Sequence, residues 1–151
     1  MCFNEEDRYF MKLALEEAKK GFEEDEVPVG AILVKEGKII SSAYDKREKS
    51  NLITSHAEML CIMRANKVLN SWRLENCVLY TTLEPCLMCS GAIIQARIKK
   101  VIYGANSPKF GAITNFNIFN QNWHTHKVEA KGGLLSDESK QLLQKFFKNR
   151  R

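Results

Sequence analysis

Apolar side chains recur at helical spacing at the start of the chain. Asn4 and Asp7 are residues typical of a helix start, and Gly21 closes the pattern. The apolar positions that repeat between them are Phe10, Leu13, Ala14 and Ala18. This spacing predicts an amphipathic first helix with one buried face.

The segments that follow have the composition of strands. Residues 29–34 form an apolar run, Glu36-Gly37 favours a turn, and residues 38–44 continue with an extended pattern. The sequence therefore predicts a β-hairpin, and a polar loop is expected over residues 45–54.

Helical and extended patterns then alternate. The pattern predicts a helix over residues 55–69, a third strand over 78–82, another helix over 86–96 and a fourth strand over 101–103. Because the third and fourth strands are joined through a helix, they should run parallel. This order favours an α/β fold over an antiparallel sandwich.

The C-terminal third is less regular. Residues 104–127 contain glycine, proline and several asparagines, which indicates a long functional loop with one short helical turn. Residues 128–130 predict a fifth strand, 132–133 a turn, and 136–148 a final helix. The side chains that this helix is expected to bury are Leu142, Leu143, Phe146 and Phe147.

Length and composition fit one compact domain over residues 1–151. The chain is 44% hydrophobic, yet no stretch approaches the roughly 18 apolar residues that a membrane helix needs. The first residues lack the apolar segment of a signal peptide, so we expect a cytoplasmic protein. Its five cysteines are an odd number, which fits free thiols available to a metal better than a disulfide framework.

Charge is unevenly distributed. Residues 1–26 hold nine Asp and Glu against four Lys and Arg, whereas the remainder has 19 Lys and Arg against nine acids. A basic surface of this kind is either a plain solvated surface or a site for a polyanion such as RNA, and charge alone does not choose between them.

Two short segments carry candidate chemistry. His56 and Glu58 lie at one predicted helix start, and Cys86 and Cys89 lie at another, just after Pro85. Cysteines three apart share a helix face, and the free N–H groups of a helix N-terminus favour thiolate. With His56 they make three zinc ligands and leave a fourth position for water. Hydroxide generated on the zinc serves as the nucleophile, and Glu58 is the expected proton shuttle.

Each segment also has a simpler interpretation. A lone pair of cysteines is often half of a closed structural zinc site, for which Cys61 or Cys77 could supply the fourth ligand. The apolar neighbours of both cysteines, however, favour a place in the buried core. His124 and His126 read as loop residues. Together, however, the His-x-Glu and Pro-Cys-x-x-Cys segments match the signature of zinc deaminases of nucleobases.

On these residues the chain resembles the bacterial tRNA adenosine deaminases of the cytidine-deaminase superfamily. The similar segments span nearly the whole chain; they are EVPVGA at 26–31, HAE at 56–58, WRL at 72–74, LYTTLEPC at 79–86, GA at 91–92 and YGA at 103–105. The resemblance implies a three-layer fold with a five-stranded mixed sheet flanked by helices. It also implies one zinc ion per subunit, a homodimer, and conversion of the wobble adenosine to inosine in a tRNA anticodon stem-loop.

The same resemblance implies a set of substrate-binding residues. They are Val29, Asp45, Ala57, Leu83, Ser107, Lys109 and Phe146. Two of them depart from the family pattern: Asp45 stands where the family has a base-contacting Asn, and Ser107 stands where it has an Asp. The first departure concerns which base is accepted, and the second removes a negative charge close to the expected phosphates.

Two other functions stay open at this point. One is a deaminase of a free base or nucleoside, such as guanine or cytosine, which would use the same zinc and the same glutamate. The other is an inactive, zinc-stabilised RNA-binding subunit, in which Glu58 would have no task.

Overall fold

The computed structural model describes residues 3–150. In chain order its elements are α1 (Glu5–Glu23), β1 (Gly30–Lys35), β2 (Lys38–Tyr44), α2 (Arg47–Ser50), α3 (Ala57–Leu69), β3 (Cys77–Leu83), α4 (Leu87–Gln95), β4 (Lys100–Ala105), α5 (Ala112–Phe116), a 3-10 helix (Ile118–Asn120), β5 (Glu129–Lys131) and α6 (Ser136–Lys148). No helix in residues 3–150 is long and apolar enough to cross a membrane.

The first helix starts where the sequence predicts. The Asn4 side chain accepts a hydrogen bond from the Asp7 N–H at 2.7 Å, and the Asp7 carboxylate accepts one from the Asn4 N–H at 3.2 Å. Asp7 also accepts a hydrogen bond from the Tyr80 hydroxyl at 2.8 Å. This reciprocal cap therefore fixes the helix start and ties α1 to β3.

The five strands form one mixed sheet in the order β2-β1-β3-β4-β5. β1 pairs antiparallel with both β2 and β3, whereas β3, β4 and β5 run parallel. The predicted parallel pairing of β3 with β4 through α4 is confirmed, as is the five-stranded α/β fold.

Alternating side chains of the central strands build two apolar layers. Leu33, Leu79 and Val101 pack into the layer shared with α3 and α4. Their neighbours along the strands pack into the layer beneath α1; these are Ile32, Tyr80 and Ile102. Since α6 lies against α1 and β4 on that second face, the sheet is covered on both sides, as the predicted three-layer arrangement requires.

The structure corrects several boundaries. The predicted polar loop at 45–54 contains α2. The N–H groups of Glu48 and Lys49 in this helix donate hydrogen bonds to the buried Glu26 carboxylate at 3.0 and 2.8 Å. The region 104–127 contains the end of β4, α5 and the 3-10 helix instead of one helical turn, and the fifth strand begins one residue later than predicted.

The buried face of α6 is narrower than the sequence pattern indicates. Phe146 is 6% exposed and packs edge-on against Phe22, whose ring centroid lies 6.2 Å away. Phe147 is 50% exposed, so its predicted burial is wrong. Adjacent residues of a helix project about 100° apart, so the Phe147 side chain points away from α1 when that of Phe146 faces it.

Helix α1 approaches the sheet closely at Gly30. A Cβ atom there would overlap the Ala14 carbonyl oxygen and lie 2.6 Å from the Ala18 nitrogen, both of them backbone atoms of α1. We expect Gly30→Ala to lower the free energy of unfolding by roughly 1–3 kcal/mol, because α1 must move away from β1.

The matched control is Gly91→Ala in α4, where an added Cβ meets nothing within 4 Å. Replacing a helical glycine by alanine there should stabilise the protein by about 0.5–1 kcal/mol. Chemical denaturation of both variants measures the difference, and equal midpoints would contradict the proposed close packing of α1 on β1.

Candidate metal centre and active site

The candidate site lies at the edge of the sheet where β3 ends. After Leu83 the chain passes through Glu84 and Pro85 into α4, and α3 begins at Ala57 on the same side of the sheet. The carboxyl ends of parallel strands are where α/β proteins usually bind ligands. The helices that start there bring their N-termini to this edge.

Two of the candidate ligands are the N-cap residues of these helices. His56 precedes α3 and Cys86 precedes α4, and both have extended backbone angles. Neither side chain makes a capping hydrogen bond to its helix, so each is available to a metal ion. Cys89 follows in the first turn of α4 and is buried.

The three side chains converge with spacings that suit zinc. The His56 Nδ1 atom lies 3.6 Å from the Cys86 Sγ atom and 3.5 Å from the Cys89 Sγ atom. Bonds of about 2.3 Å to sulfur and about 2.0–2.1 Å to nitrogen, at a tetrahedral angle, separate such donor atoms by about 3.5 Å. All three ligand atoms lie within 4.8 Å of one another, so the donor set fits a zinc ion.

The thiols of this group are in unequal states. Hydrogen bonds from Cys89 and then from His56 lower the pKa of Cys86 to about 4, despite its partial burial. The hydrogen bond to Cys86, followed by burial, raises the pKa of Cys89. The hydrogen bond to Cys86 also raises the pKa of His56. Of the two thiols, Cys86 is therefore the one whose surroundings favour the thiolate form.

Glu58 lies in the first turn of α3 and is 4% exposed. Burial is the main cause that raises the pKa of its carboxyl to about 7. Within residues 3–150 its carboxylate makes no hydrogen bond to another residue, and it does not belong to the group of possible ligands. A buried acid with a pKa near neutrality is suited to both accepting and donating a proton.

Four of the residues expected at the substrate lie along the same edge. Val29 precedes β1 and is 6% exposed, and its carbonyl accepts a hydrogen bond from the Asp45 N–H at 3.1 Å. Ala57 is buried at the start of α3, and Leu83 is half-buried at the end of β3. Asp45 is 6% exposed; its Oδ1 atom accepts the Arg47 N–H at 2.8 Å, and burial raises its pKa.

Ser107 and Lys109 lie in the segment that follows β4, and Glu84 organises that segment. The buried Glu84 carboxylate accepts hydrogen bonds from the Ser107 N–H at 3.0 Å, the Thr114 N–H at 2.7 Å and the Thr114 hydroxyl at 2.7 Å. Sequence reasoning missed this function. The only indication available was an acidic residue next to Pro85 at the end of an apolar strand.

Phe146 packs against α1. Its ring is buried against Phe22 and carries the Arg150 guanidinium 4.3 Å above it. The remaining histidines are occupied elsewhere, since the Nε2 atoms of His124 and His126 lie 2.6 and 2.7 Å from the backbone carbonyls of Ile118 and Ile98. Cys61 and Cys77 are buried core residues outside the cluster.

Comparison with known proteins identifies similar chains. The family of MafB19-like deaminases matches residues 4–151. A tRNA-specific adenosine deaminase of Aquifex aeolicus (strain VF5) is 49% identical over 144 residues, which cover 95% of both chains. Another from Bacillus subtilis (strain 168) is 44% identical over 147 residues, 97% of this chain and 91% of that one.

Solved structures agree with these sequence matches. One from work on A-to-I editing by tRNA:A34 deaminases at the wobble position superposes with a TM-score of 0.86 at 42% identity, over 89% of this chain and 99% of that chain. A guanine deaminase from Nitrosomonas europaea has a TM-score of 0.77 at 22% identity, over 92% and 83% of the two chains, which shows the shared fold.

The hydrogen bonds of Glu84 predict a local effect of its substitution. In Glu84→Gln a single oxygen must replace two acceptors, so the Ser107 or the Thr114 N–H loses its partner. A hydrogen bond to a charged acceptor contributes about 1.5–3 kcal/mol, so the amide that loses the carboxylate should exchange its hydrogen roughly 10- to 150-fold faster. Hydrogen exchange read by NMR measures this, with the exposed Glu75→Gln as the control. Unchanged exchange at both amides would contradict the assignment.

Proposed function

Because this chain belongs to the MafB19-like deaminases, we propose that it converts adenosine to inosine at the wobble position of a tRNA anticodon stem-loop. The observation that carries the proposal is the convergence of His56, Cys86 and Cys89 close to the buried Glu58, whose carboxylate has no hydrogen bond to another of the described residues. Relatives 42–49% identical to this chain are tRNA-specific adenosine deaminases, which supports the choice of substrate.

His56, Cys86 and Cys89 hold one zinc ion per chain in this proposal. Bound by these three ligands, zinc would supply water activated for hydrolysis at neutral pH. The remaining chemistry belongs to the chain. Glu58 takes the proton released when water adds to the carbon that bears the amino group, delivers it to the ring nitrogen, and assists the departure of ammonia. A carbon–oxygen bond replaces a carbon–nitrogen bond, and no electrons are transferred.

The walls of the base pocket are assigned to residues at the sheet edge. Val29, Ala57 and Leu83 provide apolar contact, and Asp45 provides a polar contact with the base edge. Ser107 and Lys109 lie where the flanking RNA backbone would pass, and Phe146 supports α6 on the approach side. A flipped-out base held in this way exposes its amino-bearing carbon to attack.

Charge supports an RNA strand as the substrate instead of a free base. Residues 85–128 contain no Asp or Glu and five Lys and Arg, and this segment includes both Cys86 and Lys109. A small substrate has no need of such a surface, whereas phosphates attract it. We further propose a homodimer, because large apolar side chains are exposed on the helices that form the metal site, notably Met63 and Leu87.

The second candidate is deamination of guanine, which Asp45 favours. An ionised carboxylate only accepts hydrogen bonds and so suits a base edge that presents an N–H. The deciding experiment incubates the zinc-loaded protein separately with an anticodon stem-loop, adenosine, cytidine and guanine. Mass spectrometry then detects replacement of an amino group by oxygen. Turnover of guanine with none of the stem-loop would reject the main proposal.

The division of roles between Glu58 and the ligands predicts separable defects. Glu58→Ala should keep its zinc and lose activity by about 10²–10⁴-fold, because the proton transfers lose their carrier. Cys89→Ser should lose zinc as well, whereas Cys77→Ser, which also removes a buried thiol, should keep it. Elemental analysis and the stem-loop assay measure both quantities, and loss of zinc from Glu58→Ala would count against its role.

The proposed contact of Asp45 with the base gives a second prediction. Asp45→Asn keeps an oxygen for the Arg47 N–H and turns the second oxygen into a donor. If adenine is the substrate, kcat/KM on the stem-loop should be unchanged or higher. If guanine is the substrate, the change should cost up to about 10⁴–10⁵-fold on guanine. Steady-state kinetics of wild type and variant on both substrates distinguish the two cases.

A further inference from the structure

An aromatic ring stands exposed beside the candidate site. Phe110 is 69% exposed, and the Lys109 ammonium lies 5.8 Å from the centre of its ring. Nothing in the chemistry assigned so far uses this ring. Single exposed rings are common on protein surfaces, so the case for a partner depends on where this ring lies and on what surrounds it.

The backbone on both sides of Phe110 is held in place. The Gly111 N–H donates to the Ser107 carbonyl at 2.7 Å, and the Ala112 N–H donates to the Pro85 carbonyl at 3.1 Å. Gly111 also forms a β-bridge with Cys86, a proposed zinc ligand. Because its neighbour in the chain pairs with a ligand residue, Phe110 is fixed at the rim of the site.

The tight packing under this segment adds to its rigidity. A Cβ atom at Gly111 would overlap the carboxylate of Glu84, which already binds Ser107 and Thr114 on either side of Phe110. A ring presented by such a segment loses little conformational freedom when it binds.

The charged groups around Phe110 indicate what kind of partner its ring would contact. Phe110 lies in the acid-free segment 85–128, with a cation over its ring. A flat apolar face next to a positive charge fits an unpaired nucleobase and its phosphate, the combination found in proteins that bind single-stranded nucleic acid.

We propose that Phe110 stacks on the unpaired nucleotide next to the target adenosine, while Lys109 contacts the phosphate between them. This positioning role rests on the proposed function, since it needs an RNA strand in the site. It makes the neighbouring nucleotide, and not only the flipped base, part of what the enzyme recognises.

The test compares kcat/KM of wild type and variants on three stem-loops: the intact one, and two that lack the base either 5′ or 3′ of the target. Phe110→Ala should lower kcat/KM on the intact stem-loop roughly 5- to 150-fold, the range that stacking on one base supplies. Phe110→Trp should restore it, and Phe110→Leu, which keeps apolar area without a π-face, should not.

On one of the two abasic stem-loops, wild type and Phe110→Ala should be equally slow, because the stacking partner is already absent. The matched control is Tyr9→Ala, which removes a similarly exposed ring, 58% exposed, from α1. It should leave kcat/KM unchanged on all three substrates.

Different results would contradict the stacking role of Phe110 and the proposed function. If wild type deaminates the intact stem-loop but Phe110→Ala matches it, or if the loss persists undiminished on both abasic substrates, the stacking role is wrong. If Phe110→Ala instead changes the sedimentation of the protein, the ring contacts a second copy of the chain, which also overturns the proposal. If wild type deaminates no stem-loop, the proposed function itself fails, independently of Phe110.

Discussion

Two helix N-termini that meet at one edge of the sheet are the constraint on which the site depends. α3 begins at Ala57 and α4 at Leu87, and the residue before each of them presents a ligand atom to the same point. The crossover between the parallel strands β3 and β4 places α4, and the packing of both helices on the same face of the sheet places α3. Because N-cap side chains extend outward from the helix end, the ligand atoms meet without distortion of either helix.

Three buried glutamates at this edge have different tasks, which their hydrogen bonds explain. Glu26 accepts two N–H groups of α2, and Glu84 accepts three donors from the segment after β4. Both carboxylates are therefore occupied by hydrogen bonds from the segments that surround the site. Glu58 has no such partners among the described residues, and burial is the largest of the causes that shift its pKa. In the proposed function, the carboxylate without such partners is the one that transfers protons.

Local patterns were sufficient to predict the main elements and the group of residues that could hold a metal ion. The central strands and long helices have clear periodicity, and the His56-x-Glu58 and Cys86-x-x-Cys89 spacings are short enough to be recognised along the chain. What the sequence did not disclose depends on distant partners. α2 is held by Glu26, 22 residues away from Glu48, and Thr114 is bound to Glu84 across 30 residues. No periodic signal marks such contacts, and adjacent Phe146 and Phe147 differ in burial because only one faces Phe22.

The ligand-bearing helices are anchored by apolar contacts of their own. Cys61, Ile62 and Ala65 of α3 and Ile93 of α4 lie in the core beneath the sheet. In many small zinc proteins the ion holds the fold together, and its removal unfolds the chain. Here residues of both helices also pack in the apolar core, so in the proposed zinc site the ion would add to a placement that the core already supports, and a defect in metal binding would be separable from a defect in folding.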